Sequence, residues 1–261
     1  MSSEKGNVHY LLGVKPEDSH VKSHASRTAD EECAYMIPTL LDLAKSVPKL
    51  RLLDVGCGPG SITCGLARLV PGAEVVGLDM SETVLEAARM EANSQGVTNV
   101  NHRCIAHLQH HVSAINELAR VSRKGGGRLC MREGILPTFM WYPLNPTLDE
   151  AWRAIMAAYE ANGALTDAGR RLKAWAVEAG VLRETICVHG RIMVLRYTGA
   201  PEALGAAWPA RVSEGSLAER VVDIGAASRE RLTEYAEAWR QWIDDEDGLF
   251  MLMHGQVIAR F

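Results

Sequence analysis

An apolar run, Leu52-Leu53-Asp54-Val55, breaks at Gly56-Cys57-Gly58-Pro59-Gly60, and nineteen residues after Gly60 a second apolar run, Val75-Val76-Gly77-Leu78, ends in Asp79. A strand that runs straight into three alternating glycines constrains the fold more than any other feature of the chain. Glycine takes φ values barred to other residues and lets a ligand approach the main chain closely. Ile62, Leu66, Leu69 and Val70 then recur at helical spacing, so strand, loop and helix follow in the order of a ligand-binding βα unit. Asp79, at the end of the next strand, sits where a carboxylate accepts both hydroxyls of a ribose. Dinucleotide-binding chains share this plan, but Asp54 argues against a pyrophosphate, because a carboxylate beside the loop repels phosphate and attracts an ammonium or a sulfonium. S-adenosylmethionine carries a ribose, an α-ammonium and a sulfonium and no phosphate, so it suits both acids.

At 261 residues and 47% hydrophobic content the chain can bury one large core, and disorder is not expected. The net charge of -4 and a pI near 6.1 come without a dense Lys/Arg run, so neither a nucleic-acid footprint nor a polybasic membrane patch is visible. No apolar run approaches the roughly 18 residues of a membrane span. The six cysteines are scattered without a C-x-x-C pair, which fits free thiols in a reducing compartment. These properties favour a cytoplasmic protein with small-molecule chemistry, and they leave its oligomeric state open.

Capping and breaker residues mark the remaining elements. Ser81 is an N-cap for a helix carrying Val84, Leu85 and Ala88 and stopped by Gly96. Ile115, Leu118, Ala119 and Val121 give another helix, and residues 128 to 132 read as a strand with Glu133 at its carboxyl end. Thr147-Leu148-Asp149-Glu150 has the form of a capping box, Asn162-Gly163 ends that helix, and Asp167 starts another that Gly180 stops. Leu182 to Val188 and Arg191 to Tyr197 read as two strands around His189-Gly190. The region from Pro201 to Asp247 reads as helical, and Phe250 to Phe261, turning at Gly255, supplies the last strand.

Residues 52 to 63, Gly77-Leu78-Asp79, and Glu117-Leu118-Ala119-Arg120-Val121 followed by glycines resemble the class I S-adenosylmethionine-dependent methyltransferases. The resemblance is to the branch related to ubiquinone and menaquinone C-methyltransferases. His24-x-x-Arg27-Thr28-Ala29, Trp141-Tyr142-Pro143, Asp167-Ala168-Gly169-Arg170-Arg171-Leu172 and Asp245-Glu246-Asp247-Gly248 are similar to fungal members, often associated with secondary metabolism. The resemblance implies an α/β fold, a Rossmann-like doubly wound sheet. Residues 1–48 would form a helical N-terminal cap, 49–261 the methyltransferase-like domain, and about 198–248 a helical insertion before the last strand. It also implies that Asp54, Gly56, Gly58 and Gly60 hold the methionine part of the cofactor, Asp79 the ribose and Met80 the adenine face.

One departure stands out. Only sixteen residues, 97 to 112, separate the helix ending near Gly96 from the one starting near Ser113, where the family fold places a third strand, a crossover and a fourth parallel strand. Two strands of about five residues and a crossover of at least 10 to 12 need roughly twenty or more residues. One strand is therefore expected to be missing. Residues 100 to 105 are too polar for a strand buried on both faces and read as an edge strand. Either the sheet then lacks its middle or its inner strands close up.

Methyl transfer is an in-line displacement at a sulfonium methyl, so the protein aligns an electron-rich acceptor and sometimes removes its proton. His107, His110 and Glu133 are the candidates for that proton, although each is also explained as an ordinary loop histidine or ion-pair partner. The histidines lack a carboxylate or cysteine partner, and no metal site is expected. The leading expectation is S-adenosylmethionine-dependent methylation of a small-molecule acceptor on oxygen, nitrogen or an activated carbon. The alternatives are a methyltransferase scaffold turned to cyclase or pericyclase chemistry and a non-catalytic or truncated gene product.

Overall fold

The alternation of short apolar strands with capped helices builds a parallel sheet, and the chain after it builds an antiparallel one. The computed structural model describes Val21 and residues 24–104, 110–122, 126–196 and 208–261. The described residues fall into two compact units, the first ending before Leu108 and the second comprising the rest.

In the first unit, helix α1 (Ala29–Glu32) is capped by Thr28, whose side chain accepts from the Glu31 amide, and α2 (Ile37–Ser46) follows. Strands β1 (Arg51–Val55), β2 (Glu74–Asp79) and β3 (Val100–Cys104) alternate with helices α3 (Ser61–Leu69) and α4 (Glu82–Ser94). The three strands form one parallel sheet in the order β1-β2-β3, with Leu53 opposite Val76 and Gly77 opposite His102. Ser81 caps α4 by accepting from the Val84 amide, as its position before the apolar positions predicts. Leu40, Leu66, Ala67, Val70 and Val75 form the core, and a Cβ on Gly65 would stand 2.7 Å from Ala29 Cβ, so that glycine admits α1 against α3. The expected polar edge strand is β3, in which only His102 is buried.

The second unit opens with α5 (His111–Val121) and β4 (Arg128–Tyr142), then α6 (Pro146–Ala161), a 3-10 turn (Ala168–Arg170) and α7 (Leu172–Glu178). After a second 3-10 turn (Arg183–Thr185) come β5 (Ile186–Arg196), the helices α8 (Trp208–Ser213), α9 (Gly215–Asp223) and α10 (Arg229–Ile243), and β6 (Leu249–Arg260). The strands pair antiparallel in the order β4-β6-β5.

Several boundaries differ from the sequence reading. The strand expected over 128–132 continues to Tyr142, because β6 supplies a partner along its length, with a register shift between Ile135 and Met140 that accommodates Pro137. The two strands expected around His189-Gly190 are one, since Gly190 stays in register opposite Gly255. Gly255 makes no turn. It is glycine because the 3-10 turn crosses it, and a Cβ there would overlap the Gly169 carbonyl, just as a Cβ on Gly169 would overlap the Glu133 carbonyl. Helix α6 starts at Asn145, whose side chain accepts from the Thr147 and Leu148 amides with Pro146 in the first turn, so the capping-box sequence lies inside the helix. Asp167 precedes a 3-10 turn rather than the α-helix, and its carboxylate is shared by Arg170 and Arg171.

The even-numbered β6 residues Phe250 and Leu252 face a cluster of Trp141, Trp152, Trp208, Trp239 and Trp242, whereas the odd-numbered Val257 and Ala259 face Ile115, Leu129, Leu172 and Ala176. Opposite faces of one strand are thus covered at its two ends. These tryptophans are core residues: Trp208 and Trp239 stack at 5.4 Å with planes 7° apart, and Trp141 meets Trp239 edge-on at 4.9 Å. Trp239→Ala, at a residue only 2% exposed, is expected to cost about 3–5 kcal/mol in denaturant-induced unfolding followed by far-ultraviolet circular dichroism. A loss below about 1 kcal/mol would show that the cluster collapses around the gap.

Candidate functional site

The site lies within the first unit, where β1 runs into the glycine loop. The amides of Gly56 and Cys57 both donate to the Leu78 carbonyl, at 2.8 and 3.0 Å, which ties the start of the loop to β2. The chain then turns through Gly56, Gly58 and Gly60 at φ of 78°, 53° and 84°, and Gly60 hands over to α3 as a left-handed N-cap. The three positions differ in what surrounds them. A Cβ on Gly60 would stand 2.8 Å from Ala88 Cβ and 3.0 Å from Ala88 Cα, so α4 packs against the bare backbone there. A Cβ on Gly56 or Gly58 would meet nothing within 4 Å, which leaves these main-chain atoms open to a ligand.

Two carboxylates flank the loop. Asp79 accepts from the Gly58 amide through one oxygen and from the Ser81 amide through the other, both at 3.0 Å. It therefore joins the loop crest to the start of α4, while each oxygen retains a lone pair for a further donor. The Asp54 carboxyl accepts from the Thr63 hydroxyl at 2.5 Å, and Thr63 is fully buried in the first turn of α3. Burial pushes the Asp54 carboxyl above its ordinary 3.8; the Thr63 hydrogen bond opposes that shift and the charge of Asp79 adds to it. Two acids converge here with no cation bonded to either among the described residues.

Met80 follows Asp79 and is partly exposed; its carbonyl accepts from the Cys104 thiol at 3.5 Å. Thr63 and His102 escaped the sequence reading. Thr63 orients Asp54, and the legible signal was a hydroxyl in the first turn after the glycines. His102 is 6% exposed with no hydrogen-bond partner for Nε2, which would stand 3.3 Å from a Cβ on Gly60. Burial first, and then the charge of Arg89, lowers its pKa, so a neutral imidazole lies beneath the loop. Only its register opposite Gly77 places it there.

The two described candidates for proton acceptor belong to the second unit. His110 is the exposed N-cap position of α5, Glu133 is exposed in the middle of β4 rather than at a strand end, and both belong to the second unit. His107 lies outside the described residues. Among the described residues no group of three His, Cys, Asp or Glu side chains is arranged to hold a metal, and no helix is long and apolar enough to cross a membrane.

The strand, the glycine loop at a helix start and the acid ending the next strand all fall within residues 46–109, which the methyltransferase domain family matches. An uncharacterised methyltransferase of Schizosaccharomyces pombe is 30% identical over 290 positions, covering 100% of this chain and 99% of its own. The nocamycin O-methyltransferase of Saccharothrix syringae is 43% identical over 65 residues, 24% of this chain and 23% of its own. Among solved structures, a methyltransferase of Geobacter sulfurreducens in complex with S-adenosyl-L-homocysteine has a TM-score of 0.45 at 18% identity, covering 93% of this chain and 98% of that one. The chain belongs to the class I S-adenosylmethionine-dependent methyltransferases, and S-adenosylmethionine is its cofactor.

Gly56→Ala should cost only the left-handed backbone penalty of about 1–2 kcal/mol, whereas Gly60→Ala should cost clearly more because Ala88 blocks its methyl group. Urea unfolding of both variants checks this, and equal losses would show that α4 yields to the added carbon.

Proposed function

We propose that this methyltransferase acts on a small-molecule acceptor at oxygen, nitrogen or an activated carbon, in secondary metabolism. The observation that carries the cofactor site is the pairing of two carboxylates with main chain left open at Gly56 and Gly58. In this reading the cofactor's α-ammonium and the methionine chain lie along Gly56 to Gly60 beside Asp54, and its ribose hydroxyls donate to the remaining lone pairs of Asp79. Met80 lies against the adenine. The bound cofactor supplies an electrophilic sulfonium methyl, and the protein's share is to orient it and exclude water. His107, His110 and Glu133 are the proposed proton acceptors for an acceptor hydroxyl or amine. Support for a small acceptor comes from the names of partial relatives, the nocamycin O-methyltransferase and a ubiquinone biosynthesis O-methyltransferase of Acinetobacter baylyi that is 44% identical over 55 residues.

Protonation of Asp54 couples to binding. The raised folded pKa means that the ligand-free fold holds a proton more tightly than the unfolded chain. Its stabilising share is present below 3.8 and is lost as pH rises towards the folded value. A cationic ligand favours the ionised carboxylate, so S-adenosylmethionine should bind more tightly as pH rises through that range and release protons on binding. Calorimetry in buffers of different ionisation enthalpy reads this, and Asp54→Asn should abolish the proton release. Unaltered proton release in that variant would remove Asp54 from the site.

Asp79→Ala should weaken S-adenosylmethionine binding by about 1–3 kcal/mol, roughly 5- to 150-fold in Kd. Titration calorimetry against folded wild-type and variant chains checks it, and unchanged affinity would sink the ribose assignment. The expected reaction product is heavier than the acceptor by one CH₂, whereas a cyclase leaves the mass unchanged.

A further inference from the structure

Beneath the glycine loop lies an ionisable side chain that the cofactor reading does not use. His102 stands in the middle of β3, in register opposite Gly77 of β2, and is 6% exposed. Its ring fills a slot left by absent side chains. A Cβ on Gly77 would stand 2.8 Å from His102 Cδ2 and 3.0 Å from Cys57 Sγ, and a Cβ on Gly60 would stand 3.3 Å from Nε2 and 2.8 Å from Ala88 Cβ. The slot thus has β2 on one side and α4 on another, and the loop closes it at Gly60, where the chain hands over to α3.

This slot suits a neutral ring and opposes a charged one. Nε2 has no hydrogen-bond partner among the described residues. An imidazolium carries a charge and a second N–H donor, and a buried charge without a partner is expensive. The titratable groups on the elements around the ring do not supply that partner. Cys57, from the loop, is a thiol whose pKa burial pushes up, so it stays neutral. Arg89, from α4, is a cation whose guanidinium donates to the His102 carbonyl at 3.3 Å and pairs with Glu82. The start of α3 presents the positive end of a helix dipole. Asp54 of β1 bonds Thr63, Asp79 of β2 bonds the Gly58 and Ser81 amides, and neither bonds the ring. Burial first, and then Arg89, hold the imidazole below its ordinary 6.5.

We propose that His102 is a positioning residue of the cofactor loop: its neutral ring wedges Gly60 in place, and its protonation in acid unseats the loop and releases S-adenosylmethionine. A protonated ring must reach water, so it leaves the slot or parts the loop from α4, and either movement removes the contact beneath Gly60. The proposal rests on the cofactor-site reading for the release step alone. Because the folded ring binds its proton less readily than the unfolded chain, it costs the fold nothing above 6.5 and destabilises it progressively as pH falls from 6.5 towards the folded value. A ring with no role in the loop shows that loss of stability as well. Only a loop-coupled ring passes its proton to the ligand, and by reciprocity a ligand that needs the neutral ring lowers the ring's midpoint.

The test follows the His102 ring and the Gly58 and Gly60 amides by nuclear magnetic resonance as the ligand-free 261-residue chain is acidified. The titration is repeated with saturating S-adenosylhomocysteine, which lacks the sulfonium charge and so does not repel the ring directly. The two amides should shift with the ring's own midpoint, and the ligand should lower that midpoint by about one pH unit or more, a linkage of about 10-fold in affinity. Calorimetry should show S-adenosylhomocysteine binding about 10-fold more weakly per pH unit below the midpoint of the ligand-free ring. In His102→Gln, which keeps a polar group in the slot and does not titrate, the part of the affinity profile at that midpoint should vanish while the part due to Asp54 stays. Loop amides that stay still while the ring titrates would overturn the proposal, as would a midpoint that the ligand leaves unchanged or a ring that stays neutral down to acid unfolding. An unaltered affinity profile in folded His102→Gln would do the same, and where that variant does not fold the wild-type titrations decide. Absence of binding at neutral pH removes the cofactor reading instead, and the ligand-free titration then still decides whether the ring seats the loop.

Discussion

The geometry of the glycine loop depends on the Asp79 carboxylate bridging two backbone amides. One oxygen holds Gly58 at the crest of the glycine loop and the other holds Ser81 at the entry to α4. A charge-assisted hydrogen bond to a backbone amide is stronger than a neutral one, and two of them on a single side chain fix the loop relative to the end of β2. In the proposed binding mode the same residue keeps lone pairs for sugar hydroxyls. Loop shape and, in that mode, ligand recognition then depend on one group at the end of the strand.

Asp54 works against the fold in the ligand-free state. Its carboxyl is desolvated and lies in the field of Asp79, and the Thr63 hydroxyl offsets only part of that cost. A carboxyl held in this way is relieved by a cation, and the cofactor class brings one. The same logic distinguishes this loop from a pyrophosphate site of similar glycine spacing, where a second acid would oppose the ligand. In the proposed reading, electrostatics select the nucleoside cofactor from within a loop geometry that several cofactors share.

Much of the first unit was legible because its signals are local. Glycines at positive φ, Ser81 as a cap and the strand-ending Asp79 are each dictated by a few neighbouring residues. The second unit was less legible because its strands are set by long-range pairing. Gly255 and Gly190 carry the composition of turns, yet both continue through strands. Gly255 is a glycine because a distant 3-10 turn crosses it, a contact no local window contains. Glu133 illustrates the cost: assigned to a strand end by its neighbours, it lies mid-strand because β6 extends the pairing to Tyr142. His102 was invisible for the same reason, since its place beneath the loop arises from the register of β3 against β2, whereas Thr63 carried a local signal, a hydroxyl in the first turn after the glycines.

The parallel and antiparallel sheets also differ in what their strands require of the chain. An antiparallel strand such as β6 needs only its two neighbours and short connections, and it is paired on both edges here. A parallel strand depends on a crossover for each neighbour, so removing one stretch of sequence deletes a strand and its connection together. In the first unit β2 holds β1 and β3 through one crossover helix each, α3 and α4, and the core of Leu40, Leu66, Val70 and Val75 closes around the first of these units.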